Sequence, residues 1–159
     1  MKKFRGKRRY FRNLWKSTAV EQYDLDFGYD GWFDIWHTHL DFFGVGNNSL
    51  KIRREHIKAH ITLFKNLLEK LNKLDKPYQS WIQLIEEDAG LDAVYIHTPN
   101  PNEDNFPIKI DILNWDCIVP KYIRDLIDLK EFNVGHYNWE SNNCYIIQSK
   151  NNGIRLHEK

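Results

Sequence analysis

The chain of 159 residues has few residues that cross-link the backbone, restrict it or make it more flexible: two cysteines, five prolines and eight glycines. Cys117 and Cys144 are too few for the disulfide framework of a small secreted domain, and neither lies in a CxxC motif. No apolar run approaches the roughly 18 residues of a membrane span, and no apolar stretch near the N-terminus indicates a secretory signal. These absences favour a protein of the reducing cytoplasm that folds around a hydrophobic core.

Motifs of common enzymes and nucleotide-binding proteins are also missing. The sequence contains no GxxxxGK[ST] phosphate loop, no GxGxxG after a strand and no GxSxG nucleophile elbow. We therefore expect a protein that is not an enzyme and carries no cofactor, unless its histidines bind a metal ion.

Charge is distributed unevenly along the chain. Residues 1–16 contain eight of the 23 basic residues and none of the 22 acidic ones, so the rest of the chain is acidic. Aromatic residues lie among these cations, and this combination suits phosphate contact and base stacking. The alternative is a solvated tail that folds back on the acidic body. We predict a basic N-terminal arm over residues 1–16 and a single domain over residues 17–159, with nucleic-acid binding through residues 2–16 as one alternative for the arm.

Hydrophobic periodicity predicts the elements of this domain. Apolar residues at spacings of three and four indicate one long helix over about residues 50–72. Short alternating or apolar runs indicate strands at residues 32–42, 80–86, 92–98, 108–112, 132–139 and 144–148. Pro120 marks the start of a short helix through Leu129. We expect an α+β fold: a mainly antiparallel sheet of five to seven strands, packed by the long helix and one or two short ones.

Histidines provide the main argument for metal chemistry. His37, His39 and Asp41 alternate along the first predicted strand, so their side chains project from one face and suit zinc or another divalent metal. His97 on a neighbouring strand is a further candidate ligand. The simpler interpretation is that these histidines are structural and pack beside aromatic residues. His56 and His60 lie four apart on the long helix, but the residue after His56 is Ile57 and not the glutamate of a metalloprotease, so we interpret the pair as structural.

Charged clusters provide two candidate binding surfaces. Lys51, Arg53 and Arg54 occupy the first turns of the long helix, where cations oppose the helix dipole, and we predict an anion-binding patch there. Acidic and amide residues gather in two predicted loops and form a candidate surface for a basic protein partner. This predicted partner-binding set consists of Glu86, Glu87, Asp88, Asp92, Asn100, Asn102, Glu103 and Asp104. The simpler interpretation of the acidic cluster is solvation at the surface, and that of the basic cluster is solvation or pairing with the many acidic residues of the domain.

Two stretches, GWFDIWHTHLD at residues 31–41 and DAVYIHTPNPN at residues 92–102, resemble segments of a poorly characterised group of small bacterial immunity-type proteins. The resemblance spans about residues 23–107. It implies a cytoplasmic protein that neutralises a toxin by direct protein-protein binding, and it assigns no functional residue. The alternatives are a metal-dependent hydrolase built on His37, His39 and Asp41, and a nucleic-acid binder that uses the basic arm.

Overall fold

The computed structural model describes residues 7–16, 18–19, 32–36, 50–73, 77–86, 92–99, 104, 106–151, 154 and 156. For residues 7, 32–36 and 50–52 it describes the backbone alone. The elements are, in chain order, α1 (Lys7–Lys16), β1 (Trp32–Trp36), α2 (Leu50–Leu71), β2 (Gln79–Ile85), β3 (Ala93–His97), α3 (Lys121–Arg124), β4 (Phe132–Trp139) and β5 (Asn142–Ser149).

The strands form one antiparallel sheet in the order β1-β3-β2-β5-β4. Strands β3, β2, β5 and β4 make up the part of the sheet whose side chains are described, and the backbone of β1 pairs along the outer edge of β3. Ile82 of β2 lies opposite Val94 of β3 on one side and Ile147 of β5 on the other. This register aligns apolar side chains on one face of the sheet, because residues directly opposite one another share a face.

Helix α2 covers that face. Its apolar stripe, which includes Ile57, Ile61 and Phe64, is buried against Ile82 and Ile147 in the larger of the hydrophobic clusters. The 3.6-residue period of the stripe explains this contact, since residues three and four apart lie on the same side of a helix. Burial of this stripe is the main contribution of α2 to stability.

The opposite face of the sheet is covered by the irregular segment that precedes α3. Trp81 and Ile146 project from the sheet into a second cluster that also contains Leu113, with Trp115 packed against it. The sheet therefore has apolar contacts on both faces, which explains why strands β2 and β5 are buried along nearly their whole length.

The predicted architecture, a sheet of five to seven strands packed by one long helix and one or two short ones, is wrong, although the α+β class holds. The sheet whose side chains are described has four strands, with only the backbone of β1 paired at its edge, and α1 is a second helix of more than seven residues. Residues 108–112, predicted as a strand, are not in the sheet. The backbone N–H and carbonyl of Ile108 instead bond to the side chain of Gln79, at 2.8 and 3.0 Å. Two of the three alternating isoleucines, Ile108 and Ile110, pack against the sheet rather than extending it.

Other elements differ from the prediction in length. The short helix expected from Pro120 through Leu129 is a single turn, and the expected strand over residues 32–42 is described as far as Trp36. The strands predicted over residues 132–139 and 144–148 correspond to β4 and β5, which form a hairpin closed by the pair Trp139 and Asn142. The division into an arm and a domain remains a prediction, to which the structure adds that residues 7–16 form α1.

Gly135 in β4 is a stability determinant because Trp115 crosses directly over its backbone. A β-carbon at this position would lie 3.2 Å from Cε3 of Trp115 and 3.3 Å from Cδ2 of Leu113. Replacement with alanine forces the rigid indole outward, and we expect Gly135→Ala to lower the free energy of unfolding by about 1–3 kcal/mol in urea denaturation. The loss should shrink in a Trp115→Leu background, and an unchanged stability of the single variant would contradict this contact.

Candidate functional site

A buried ion pair joins helix α2 to the sheet. Nη1 of Arg53 lies 2.6 Å from Oδ2 of Asp92, and Nη2 donates to Oδ1 at 3.0 Å. The Arg53 guanidinium also donates to two backbone carbonyls, through Nε to Glu86 at 3.2 Å and through Nη2 to Ile85. Asp92 is 1% exposed and Arg53 is 9% exposed. Both charges are therefore satisfied inside the protein, in the bidentate geometry that favours arginine over lysine.

Two buried histidines extend this polar network along α2. Nδ1 of His60 donates to the carbonyl of His56 at 2.8 Å and lies 3.7 Å from Oδ2 of Asp92. The hydroxyl of Tyr10 on α1 shares a hydrogen bond with Nε2 of His56, and the two rings stack. The network thus links α1, α2 and the start of β3, which agrees with a structural role for the histidine pair.

These contacts correct two of the predicted site residues. Asp92, expected to face a protein partner, and Arg53, expected to bind an anion, instead bind each other in the interior. The sequence places them 39 positions apart, so neither a charge run nor a helix position indicates that they pair.

Other predicted acidic residues occupy different environments. Glu86 is half-buried after β2, where its carboxylate accepts a hydrogen bond from the Asn143 amide at 2.9 Å. Asp104 is exposed. The remaining residues of the predicted partner-binding set, which are Glu87, Asp88, Asn100, Asn102 and Glu103, lie outside the described residues.

Only one of the four candidate metal ligands lies among the residues that the structure describes. His97 is buried on β3, with its ring centroid 5.5 Å from that of Phe106. His37, His39 and Asp41 lie outside the described residues. Within the ranges that are described, no group of three His, Cys, Asp or Glu side chains is placed to hold a metal ion. A metal site therefore stays a prediction.

A basic cleft separates α2 from α3. It has a volume of about 710 Å³, an apolar floor of Ile57 and Leu126, and cations at its rim from Arg54, Lys58 and Lys121. Asp125 also borders the cleft, and its carboxylate forms an ion pair with Lys121 at 2.8 Å. The predicted anion-binding patch is thus divided: Arg54 is exposed at the cleft, Arg53 is buried, and Lys51 lies in the first turn of α2.

Tyr122 forms one wall of this cleft and contributes a neutral phenol. Burial raises the pKa of its hydroxyl well above the ordinary value of 10, and the nearby Glu86 carboxylate raises it further. The phenol therefore stays protonated at neutral pH. The cleft combines positive charge with an aromatic wall, which suits a small anion that carries an apolar group.

Residues 106–120, which we call the pinned loop, wrap around the open edge of β4. Asn114 exchanges two backbone hydrogen bonds with His136, at 2.8 and 2.9 Å. Before this bridge, Ile108, Ile110 and Leu113 pack on one face of the sheet. After it, Cys117 and Val119 pack against the cluster on the other face.

The pinned loop exposes two large aliphatic side chains. Ile118 is 93% exposed and Ile112 is 70% exposed. The sequence analysis missed both: Ile112 was assigned to the predicted strand over residues 108–112, and Ile118 belonged to no predicted element. The sequence did contain a signal for an exposed loop, in Pro120 and in the nearby acidic residues Asp111 and Asp116.

Comparisons of the chain with protein-family models, with curated proteins and with solved structures found no match. Among the described helices, none is both long enough and apolar enough to span a membrane.

Removal of the Arg53 charge tests the buried network. Arg53→Met leaves the Asp92 carboxylate buried without its partner, and we expect a loss of about 3–5 kcal/mol in the free energy of unfolding, measured in urea. Arg53→Met/Asp92→Asn should lose less, because no isolated charge remains and the asparagine oxygen can still accept the backbone N–H of Ile85.

The adjacent Arg54 provides the matched control for this experiment. Arg54→Met removes the same type of side chain from an exposed position, and we expect a change within about 0.5 kcal/mol. Equal losses from Arg53→Met and Arg54→Met would contradict a stabilising role for the buried pair.

Proposed function

We propose that this chain is a non-enzymatic binding protein that contacts a basic protein partner through the pinned loop. The observation that carries the proposal is the exposure of Ile118, between neighbours that both pack against the core. Water contact with a large aliphatic side chain is unfavourable, and burial in an interface removes it. Isolated exposed apolar residues are common on proteins, so the argument also depends on the rigidity and charge of the loop.

Rigidity of the pinned loop favours tight binding. Gln79 holds Ile108 at one end with two hydrogen bonds, and the bridge between Asn114 and His136 holds its middle. The thiol of Cys117 donates to the carbonyl of Val134 at 3.5 Å. A loop already fixed in one conformation loses less conformational entropy when a partner binds it.

Charge on and beside the pinned loop indicates the kind of partner. Asp104, Asp111 and Asp116 are exposed on or just before the pinned loop, and Lys109 is the exposed cation within it. Lys121, the next exposed cation along the chain, is paired with Asp125. The surplus of carboxylates around the two exposed isoleucines complements a positively charged surface. Such complementarity speeds encounter and excludes partners of like charge.

The specific role that we propose is neutralisation of a toxin in the bacterial cytoplasm. This role follows from the resemblance carried by residues 31–41 and 92–102. The polar network supports a binding role over catalysis, since Arg53, Asp92, His56 and His60 are buried and engaged with other protein groups. Groups that act on a substrate must instead reach it.

Variants of the exposed isoleucines test this proposal. Candidate toxins encoded beside the gene would first be co-expressed with the chain, with survival of the host as the measurement, and a neutralised toxin would then be titrated calorimetrically. We expect Ile112→Ser and Ile118→Ser each to weaken binding about tenfold, or about 1.4 kcal/mol, because each removes buried apolar contact.

Leu129→Ser provides the control, because Leu129 is 39% exposed and lies beyond the pinned loop. It should leave the dissociation constant within about twofold of that of the unsubstituted chain. Neutralisation that survives both isoleucine variants unchanged would rule out the pinned loop as the interface. Failure of every neighbouring toxin to be neutralised would contradict the toxin role.

A further inference from the structure

Helix α1 presents a surface whose charged side chains are all positive. Arg8, Arg9, Arg12 and Lys16 are exposed, and the helix contains no acidic residue. Trp15 is 39% exposed in the last turn. At 100° per residue, these five side chains fall within an arc of about 120° on one side of the helix. The arrangement is a compact cationic face with an accessible indole at its border.

The other side of α1 is fixed to α2. Leu14 is fully buried with Ala59, Phe11 packs beside them, and Tyr10 contacts His56. The turn that follows α1 is also held, because the amide of Asn66 donates to the carbonyl of Thr18 at 3.2 Å. The cationic face therefore has a defined orientation on the body of the protein.

This attachment distinguishes between two kinds of anionic partner. A basic amphipathic helix binds a lipid surface by inserting its apolar face into the bilayer. In α1 that face is already occupied by α2, since Leu14 and Ala59 are both fully buried. What remains for a partner is the cationic face and one indole, and these groups match phosphates and an unstacked base.

We propose that the cationic face of α1 binds single-stranded nucleic acid, with Arg8, Arg9, Arg12 and Lys16 on the phosphates and Trp15 stacked on a base. Stacking requires a base whose face is accessible, which favours a single strand over a duplex. Ten residues of helix extend about 15 Å, which suits a short site of about four nucleotides. The proposal is independent of the pinned loop, because the loop lies on β4 whereas α1 packs on α2.

Salt dependence tests the phosphate contacts. The full chain would be titrated with a fluorescein-labelled (dT)12 oligonucleotide at several KCl concentrations, with anisotropy as the measurement. Each phosphate contact to a single strand contributes about 0.7 to the slope of log K against log[salt]. We expect Arg8→Gln/Arg12→Gln to reduce the magnitude of the slope by about 1.4. Lys70→Gln/Lys73→Gln, which removes two exposed cations around the end of α2, should leave the slope unchanged.

Trp15 variants test the stacking contact. Trp15→Ala should weaken binding about fivefold or more, because base stacking on an aromatic side chain contributes roughly 1–3 kcal/mol. Its salt slope should be unchanged, since no charge is lost. Trp15→Phe should retain most of the affinity, because a phenyl ring also stacks. All four variants would be checked for an unchanged melting temperature.

Three results would overturn the proposal. The first is no binding to (dT)12 at 20 mM KCl, and the second is a salt slope that Arg8→Gln/Arg12→Gln does not change. The third is binding of a 12-base-pair duplex at least as tight as that of (dT)12, together with no effect of Trp15→Ala. Vesicles of phosphatidylcholine and phosphatidylglycerol serve as a fourth arm, and binding to them but not to (dT)12 would assign the face to a lipid surface.

Discussion

The ion pair between Arg53 and Asp92 is the interaction on which the arrangement of helix α2 and the sheet depends. Arg53 lies in the first turns of α2, and Asp92 immediately precedes β3. The same guanidinium bonds to the carbonyl of Ile85 at the end of β2. The Arg53 side chain thus holds α2 against both ends of the connection between β2 and β3. Buried charges stabilise a fold only when such hydrogen bonds satisfy them, which makes this position sensitive to either partner.

The second constraint is the exposed edge of β4. An uncovered edge strand offers unpaired backbone groups to other chains, and proteins commonly cover such edges with a loop. Here the pinned loop crosses the edge at Asn114 and packs on both faces of the sheet, with Gly135 allowing Trp115 close to the strand. The crossing explains why Ile118 projects outward, since its two neighbours are drawn into the core.

Charge is separated between elements that occupy different places in the fold. Helix α1 packs on α2 and presents cations, whereas the pinned loop packs on the sheet at β4 and presents carboxylates. The small net charge of +1 conceals this division. Because charges interact strongly only within about a Debye length, roughly 8 Å at physiological ionic strength, separate surfaces of opposite sign can address different partners.

Local patterns alone determined much of the secondary structure: the apolar period predicted a helix over residues 50–72, which is α2, and short runs predicted the strands that correspond to β4 and β5. The alternation over residues 108–112 failed, because packing onto a sheet and pairing within one select the same residues. Arg53 and Arg54 are adjacent cations that the sequence cannot distinguish. Only the tertiary structure decides that Arg53 is buried and Arg54 exposed, because Asp92 lies 39 residues from Arg53 and is brought beside it by the sheet.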